Sequence, residues 1–388
     1  MTLRPLIESI RYGWSQLFRR RLYFATMIVL PLAMTFFLLN IMERGLPTNV
    51  PVAMVDLDHS SLSRTMTRNL GSSQMLSITS SEESFHSAMQ KVRDNKIFGF
   101  FMIPENFEAD VVAGRTPTLS YYCNLTYYIP GSLAFKGFKT VAVTTSGGVV
   151  RTKLISAGLD SHSVGSLLQP VVINQSAIGN PWINYNYYLS VSFIAGIIAL
   201  LVMQITSHTI TYEIKNATSA HWLDIGGGSM LVALVGKLLP QTLIWSVVGI
   251  AIEATLFGFC HFPLNNHAAH IIVAMVLLVI ASQSLAVIIC SITPNPRLSL
   301  TNCSLIGILS FSIAGFSFPI TSMYGAIGIF SYILPVRYFF DIFSDQALNG
   351  IPLYYSRWYY IALLIFPLVS MLGLRRLKKH CKNPVYVP

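Results

Sequence analysis

One apolar run constrains this chain more than any other feature. Leu22–Met42 holds no Asp, Glu, Lys or Arg, and Arg19, Arg20 and Arg21 stand immediately before it. About 20 apolar residues suffice to cross a hydrocarbon layer. The stretch after it, Glu43–Asn186, is of mixed polarity, and further apolar runs come only beyond it. One span, a soluble-looking domain and then the remaining spans describe a membrane protein with a domain hung between its first two helices. The first run is too long for a cleaved signal, whose apolar region covers about 7–15 residues and ends at small residues. Here Glu43-Arg44-Gly45-Leu46-Pro47 follows, so the run reads as a retained signal anchor.

Charge is scarce and localised. Only 11% of the residues are charged, against about 25% in soluble proteins. The net +10 sits at the two ends. Arg4, Arg11, Arg19, Arg20 and Arg21 face Glu8 alone near the start, and Arg375, Arg376, Lys378, Lys379 and Lys382 have no acid near them. The positive-inside rule then places both termini in the cytoplasm, which requires an even number of spans. Nucleic-acid binding is excluded as a reading, because these charges flank spans and form no basic face of a soluble fold. Of the five cysteines only Cys123 lies in the insert, so that domain is held by its own core and not by an internal disulfide. No cysteine pair has metal-ligand spacing.

Along the chain, residues 3–20 read as an interfacial helix. Leu3, Leu6, Ile7, Ile10, Trp14, Leu17 and Phe18 repeat at helical spacing, with Arg4, Glu8, Arg11, Ser15 and Arg19 opposite. The spans follow at Leu22–Met42, Tyr187–Ile210, Leu231–Phe257, Ala268–Ser291, Cys303–Pro319 and Trp358–Leu374, six in all. Thr321–Arg357 is too apolar for an ordinary loop. It is expected to form a re-entrant hairpin broken at Pro335, with its backbone buried in protein or lining a cavity.

The insert mixes strand and helix signals. Pro51–Leu57, Ile97–Ile103 and Leu119–Cys123 read as strands. Ser60 or Ser61 can cap a helix with Leu62, Met66 and Leu70 on one face, and Ser80 with Glu83 forms a capping-box pattern before Phe85, Met89 and Val92. Phe107–Val112 is a short helix ended by Gly114. Ser132–Leu159 is a long one, weakened at Gly147-Gly148. The fold class is thus an α-helical polytopic membrane protein with six transmembrane helices and a small α/β domain between helices 1 and 2. Its divisions are an elbow helix at 1–21, the first span at 22–42, the insert at 43–186, the remaining spans at 187–374 with the hairpin near 321–357, and a basic tail at 375–388.

No phosphate-binding loop is present. Gly226-Gly227-Gly228-Ser229 lacks the following lysine and reads as a helix stop and hinge. Glu253 is the one carboxylate inside an expected span, near its outer end. Snorkelling or a contact to the hairpin fits it better than a proton relay, which needs acids at the midplane. Lys237, near the inner end of that span, is expected to snorkel. His261, His267 and His270 gather on one loop without a carboxylate or second cysteine and read as polar loop residues. The loop Thr211–Ser229 carries most of the interest. Thr218 or Ser219 can cap a short helix, Ala220–Ile225, that exposes His221, Trp222 and Asp224. Two readings of Trp222 stand side by side, a partner surface and an anchor in the headgroups.

The chain resembles membrane subunits of the ABC type-2 transporter permease family, in the exporter branch with a large extracytoplasmic domain. The resemblance is sharpest at Val52-Ala53-Met54-Val55-Asp56-Leu57-Asp58-His59-Ser60-Ser61-Leu62-Ser63-Arg64, which is similar to the opening of that domain. Phe98-Gly99-Phe100, the run Ile103-Pro104-Glu105-Asn106-Phe107, Gly114, Gly236-Lys237 with Pro240, and Tyr332–Tyr338 also match. In the motif after the second span, Glu213 and Thr218 match, while Lys215, Ala217 and Ala220 replace Glu, Gly and Glu. The resemblance implies a coupling helix at Glu213, Thr218, His221, Trp222 and Asp224 that docks onto a separate ATPase subunit. ATP and Mg are held by that partner and no cofactor by this chain. It further implies a second permease subunit, identical or paralogous; a multi-pass place among membrane lipids is expected from the spans, and the lone Cys123 is compatible with a bacterial inner membrane. An insert facing outward could meet a periplasmic adaptor. The expected cargo is amphipathic, lipid-like or drug-like, passing Glu253, Pro335 and Tyr338. A different class stands beside this one, a membrane-anchored assembly or receptor protein whose outer domain binds a partner without transport. A secondary carrier is disfavoured by the missing midplane acids and the lack of a visible internal repeat.

Overall fold

The computed structural model describes residues 3–170 and 178–384, so 171–177 of the insert and 385–388 of the basic tail lie outside the described residues. The chain forms two compact units, Met1–Gly45 with Ala177–Pro388, and Leu46–Ser176. The first opens with α1 (Leu3–Phe18) and α2 (Arg21–Ile41). Extended backbone at Arg20 (φ −124°, ψ 106°) separates them. The small residues Ser9 and Gly13 of α1 are buried against Gly236, while Ile7 and Phe18 are exposed.

The second unit is a four-stranded sheet with helices on both faces. Its elements are β1 (Val50–Asp56), α3 (Ser61–Gly71), β2 (Leu76–Glu82), α4 (Phe85–Arg93), β3 (Gly99–Ile103), α5 (Phe107–Val112), β4 (Ser120–Cys123), α6 (Tyr128–Ser156) and α7 (Ser161–Leu168). The strand order is β2-β1-β3-β4, with β1 parallel to β2 and β3 and β4 antiparallel to β3. Alternation along β1 explains the two layers. Val52 and Met54 join Met66, Leu70 and Phe138 on one side, and Ala53 and Val55 join Ala88 and Phe100 on the other.

Two expectations for this unit need correction. β2 has no counterpart among the expected strands, because Leu76-Ser-Ile-Thr-Ser-Ser-Glu82 offers only Leu76 and Ile78 as apolar residues. Ser80 lies within β2 and caps nothing. The cap of α4 is Ser84, whose hydroxyl accepts from Ser87 N at 3.2 Å. The expected long helix is α6, which runs through Gly147-Gly148 and ends at Ser156.

The Asp-rich stretch after β1 is a clasp. Asp56 accepts from the backbone N–H of Asp58 and His59 (both 3.1 Å) and from the Ser63 hydroxyl at 2.7 Å. Asp58 accepts from Glu108 N at 3.1 Å, capping the start of α5. Glu108 returns the favour to α3, accepting from Ser61 N at 3.1 Å and from the Ser61 hydroxyl at 2.7 Å. These bonds occupy amide donors that helix starts leave open.

The first unit resumes with α8 (Asn186–Lys215), α9 (Ser219–Ile225), α10 (Met230–Phe259), α11 (Ala268–Ile292), α12 (Pro296–Ile313), α13 (Gly325–Ile333), α14 (Pro335–Leu348) and α15 (Leu353–Lys382). Among the described residues, five helices are long and apolar enough to cross a membrane: α2, α8, α10, α11 and α15. α13 and α14 form a pair bent by 90° at Leu334, the geometry of a broken span or a re-entrant loop. The expected fifth span, Cys303–Pro319, falls instead on α12, which starts at Pro296 and stops at Ile313. Pro296, Arg297, Ser299, Thr301 and Asn302 dilute its first half, so it is not among the five. Burial sorts the faces of α10. Leu231, Val235, Leu239, Leu243 and Val247, each four residues apart, are exposed as an apolar stripe, and Trp245, Val248 and Ile252 enter the core.

Candidate coupling site

α8 ends at Lys215 in a Schellman turn. Thr218 N donates to Glu213 O at 3.0 Å and Ala217 N to Ile214 O at 3.3 Å. Ala217 adopts φ 56°, a backbone region that favours glycine. The turn sets up α9, but Thr218 does not cap it through its side chain. Its hydroxyl donates to Glu213 Oε2 instead. Gly226, Gly227 and Gly228 then end α9, the last two at φ 63° and 73°.

Glu213 is the centre of the site. Lys237 Nζ of α10 lies 2.5 Å from Glu213 Oε1, and the two side chains are 3% and 2% exposed. The Tyr12 hydroxyl of α1 donates to the same oxygen at 3.0 Å. Burial, and next the charge of Glu213, hold the Tyr12 phenol well above its ordinary pKa, so it stays a donor. Lys237 Nζ also sits 4.6 Å from the Trp222 ring and 5.5 Å from the Tyr12 ring, within cation–π range. Lys237 thus does not snorkel; an acid within reach makes burial tolerable.

Trp222 is 0% exposed and lies in a cluster with Ile210, Leu223, Ala233, Leu234, Val287 and Leu377. Its indole N–H donates to Ala233 O at 3.2 Å. It is neither an exposed partner surface nor a headgroup anchor. Ser219 donates to Cys381 O of α15 at 2.8 Å, so α9 is tied to the end of the last helix as well. His221 and Asp224, in contrast, are exposed on the opposite face. The His221 ring meets Tyr12 edge-on at 6.3 Å.

α1 closes the site by close approach. A Cβ on Gly236 would fall 2.2 Å from Ser9 Cβ, and one on Gly13 would fall 2.7 Å from Gly236 O. Only glycines permit that spacing, and it is what brings Tyr12 onto Glu213. Immediately before Glu213 on α8, Tyr212 carries the Arg20 guanidinium stacked at 3.7 Å, and further back His208 Nδ1 pairs with the Tyr23 hydroxyl at 2.8 Å. Tyr12 escaped the sequence reading because it lies between the two faces assigned to α1. The Ser9-x-x-x-Gly13 spacing was the signal that could have found it.

The expected pathway residues are not gathered in this way. Pro335 is the buried first residue of α14, and the Tyr338 hydroxyl donates to Tyr332 O at 2.9 Å, which fixes the bend. Glu253 is 3% exposed and does not snorkel. Among the described residues neither of its oxygens has a hydrogen-bond partner, the hairpin included. No group of metal-ligating side chains occurs among the described residues.

The sequence model described as "ABC-2 family transporter protein" matches residues 21–374 of the chain. No curated protein matches it significantly.

Proposed function

The chain belongs to the ABC-2 transporter family, and from that membership we propose that it is the permease subunit of an ATP-driven exporter with its ATPase docked on α9. The family implies an ATP-binding partner and a multi-pass place in a membrane. The observation that carries the reading is the division of α9 into two faces. Its inner face is fixed to Glu213 and Lys237 through Thr218 and Trp222, and its outer face offers His221 and Asp224. A helix held this way moves with α8 and α10 rather than independently of them. A push on the exposed face during ATP binding therefore reaches two spanning helices at once.

In this reading the chain crosses six times, at α2, α8, α10, α11, α12 and α15, with α13 and α14 as a re-entrant hairpin. The 18 residues of α12 rise about 27 Å, close to a hydrocarbon thickness. Both basic ends then lie in the cytoplasm of a bacterial inner membrane, and the insert lies outside, where an adaptor can meet it. Two permease subunits form the pathway for an amphipathic cargo. The test is co-purification of the tagged chain with a nucleotide-binding subunit. Asp224→Arg with His221→Glu should release that subunit while the permease stays folded. Retention of the subunit by the double variant would move the docking surface elsewhere.

A further inference from the structure

α10 carries a buried row at every fourth position: Lys237, Gln241, Trp245, Gly249 and Glu253. Residues four apart are neighbours on a helix, so the row is one continuous ridge. Its first member is satisfied by Glu213. Further along, among the described residues, satisfaction fails step by step. Gln241 Nε2 donates to Thr209 Oγ1 at 3.1 Å, but its Oε1 has no partner. The Trp245 N–H has none either. Glu253, about 24 Å beyond Lys237, has both oxygens free while 97% of its surface is buried. The buried side chains beside it on α10 are Val248, Ile252 and Leu256, all apolar. None of the ion pairs among the described residues includes Glu253. A dehydrated carboxylate without a donor is one of the costliest arrangements in a protein interior, so such a group holds a proton until a cation takes its place. An ionisable group inside a spanning helix calls for a partner. Glu253 also directly precedes a π-helical turn, Ala254–Phe259. Such turns recur at functional sites and loosen the helical backbone pattern where they occur.

We propose that Glu253 is the counter-ion site for the cationic headgroup of an amphiphile, a protonated amine or a quaternary ammonium. The inference rests on the transporter reading and names its substrate class. An ionised carboxylate only accepts, so a cation completes it and an anionic headgroup is repelled.

The experiment uses the full chain in nanodiscs and three radiolabelled probes of equal chain length: dodecyltrimethylammonium, dodecylphosphocholine and dodecyl sulfate. Binding is measured against empty nanodiscs. Saturable binding is expected for the ammonium probe above the other two, weakened by about tenfold or more in Glu253→Gln and largely kept in Glu253→Asp. Equal binding of the three probes, or full retention by Glu253→Gln, overturns the proposal. A second measurement needs no variant. Dicyclohexylcarbodiimide labelling of Glu253 in the unaltered chain should fall when the ammonium probe is present and not when dodecyl sulfate is. Labelling indifferent to the ammonium probe overturns the proposal equally. Neither arm requires an ATPase, so failure here leaves the docking of α9 standing, and loss of co-purification leaves the binding result standing.

Discussion

Lys237 and Glu213 are 24 positions apart in sequence, yet Nζ and Oε1 lie 2.5 Å apart in a place almost closed to water. The pair joins α10 to the last turn of α8, and Thr218 and Trp222 attach α9 to it. Breaking one half strands the other as a buried charge, which costs about 3–5 kcal/mol, whereas removing both can be nearly neutral. Glu213→Gln and Lys237→Met should each lower the thermal stability of the detergent-solubilised chain, and the double variant should recover most of the loss. Additive losses would show that the two side chains do not act as a pair.

Trp222 and its neighbours on α9 should separate by face. Trp222→Ala empties a site with 0% exposure and should cost about 3–5 kcal/mol. His221→Ala and Asp224→Ala touch exposed positions and should stay within about 0.5 kcal/mol of the parent, while weakening capture of the nucleotide-binding subunit. Stability is read by thermal unfolding and capture by pull-down, so the two effects are scored independently.

Gly236→Val should dislodge α1. The new side chain has no room beside Ser9, and overpacking of this kind costs about 1–3 kcal/mol. Tyr12 would leave Glu213. Protease cleavage between Arg11 and Arg19 should be slow in the parent and fast in the variant. Unchanged cleavage would mean that α1 is held by other contacts.

Ala217→Gly should stabilise the chain. Relief of the left-handed backbone at φ 56° exceeds the added freedom of glycine in the unfolded state, for a net gain of roughly 0.5–1 kcal/mol. A raised melting temperature with unaltered partner capture is the expected result.

The insert should loosen in acid through two carboxylates. The Ser61 hydroxyl donating to Glu108 and the Lys91 ammonium on Glu82 hold both groups below the ordinary range. A depressed folded-state pKa gives stability that is fully present above the unfolded value of about 4.3 and is lost as pH falls through the folded one. Amide exchange in α3 and α4, corrected for intrinsic rates, should therefore accelerate below about pH 4. Glu108→Gln with Glu82→Gln should remove most of that pH dependence.

The sequence by itself determined the layout. Hydropathy is a sum over neighbours along the chain, so α2, α8, α10, α11, α15 and the bent pair at Pro335 were readable from local runs, as were β1, β3, β4, α3, α5 and the position of α9. Only the tertiary structure decided what each side chain does. Whether Trp222 faces water or a core depends on Leu377 and Val287, far away in sequence. Whether Lys237 snorkels or is buried depends on Glu213 being within reach. Ser84 rather than Ser80 caps α4 because β2 claims Ser80 for its ladder, and β2 itself is a strand because β1 offers it an edge. The approach of α1 rests on three small residues, Ser9, Gly13 and Gly236, which add little to any apolar pattern. Spans follow from the free energy of transferring a segment, which is local. Pairs, caps and close contacts follow from which segments meet, and that is fixed only when the helices pack.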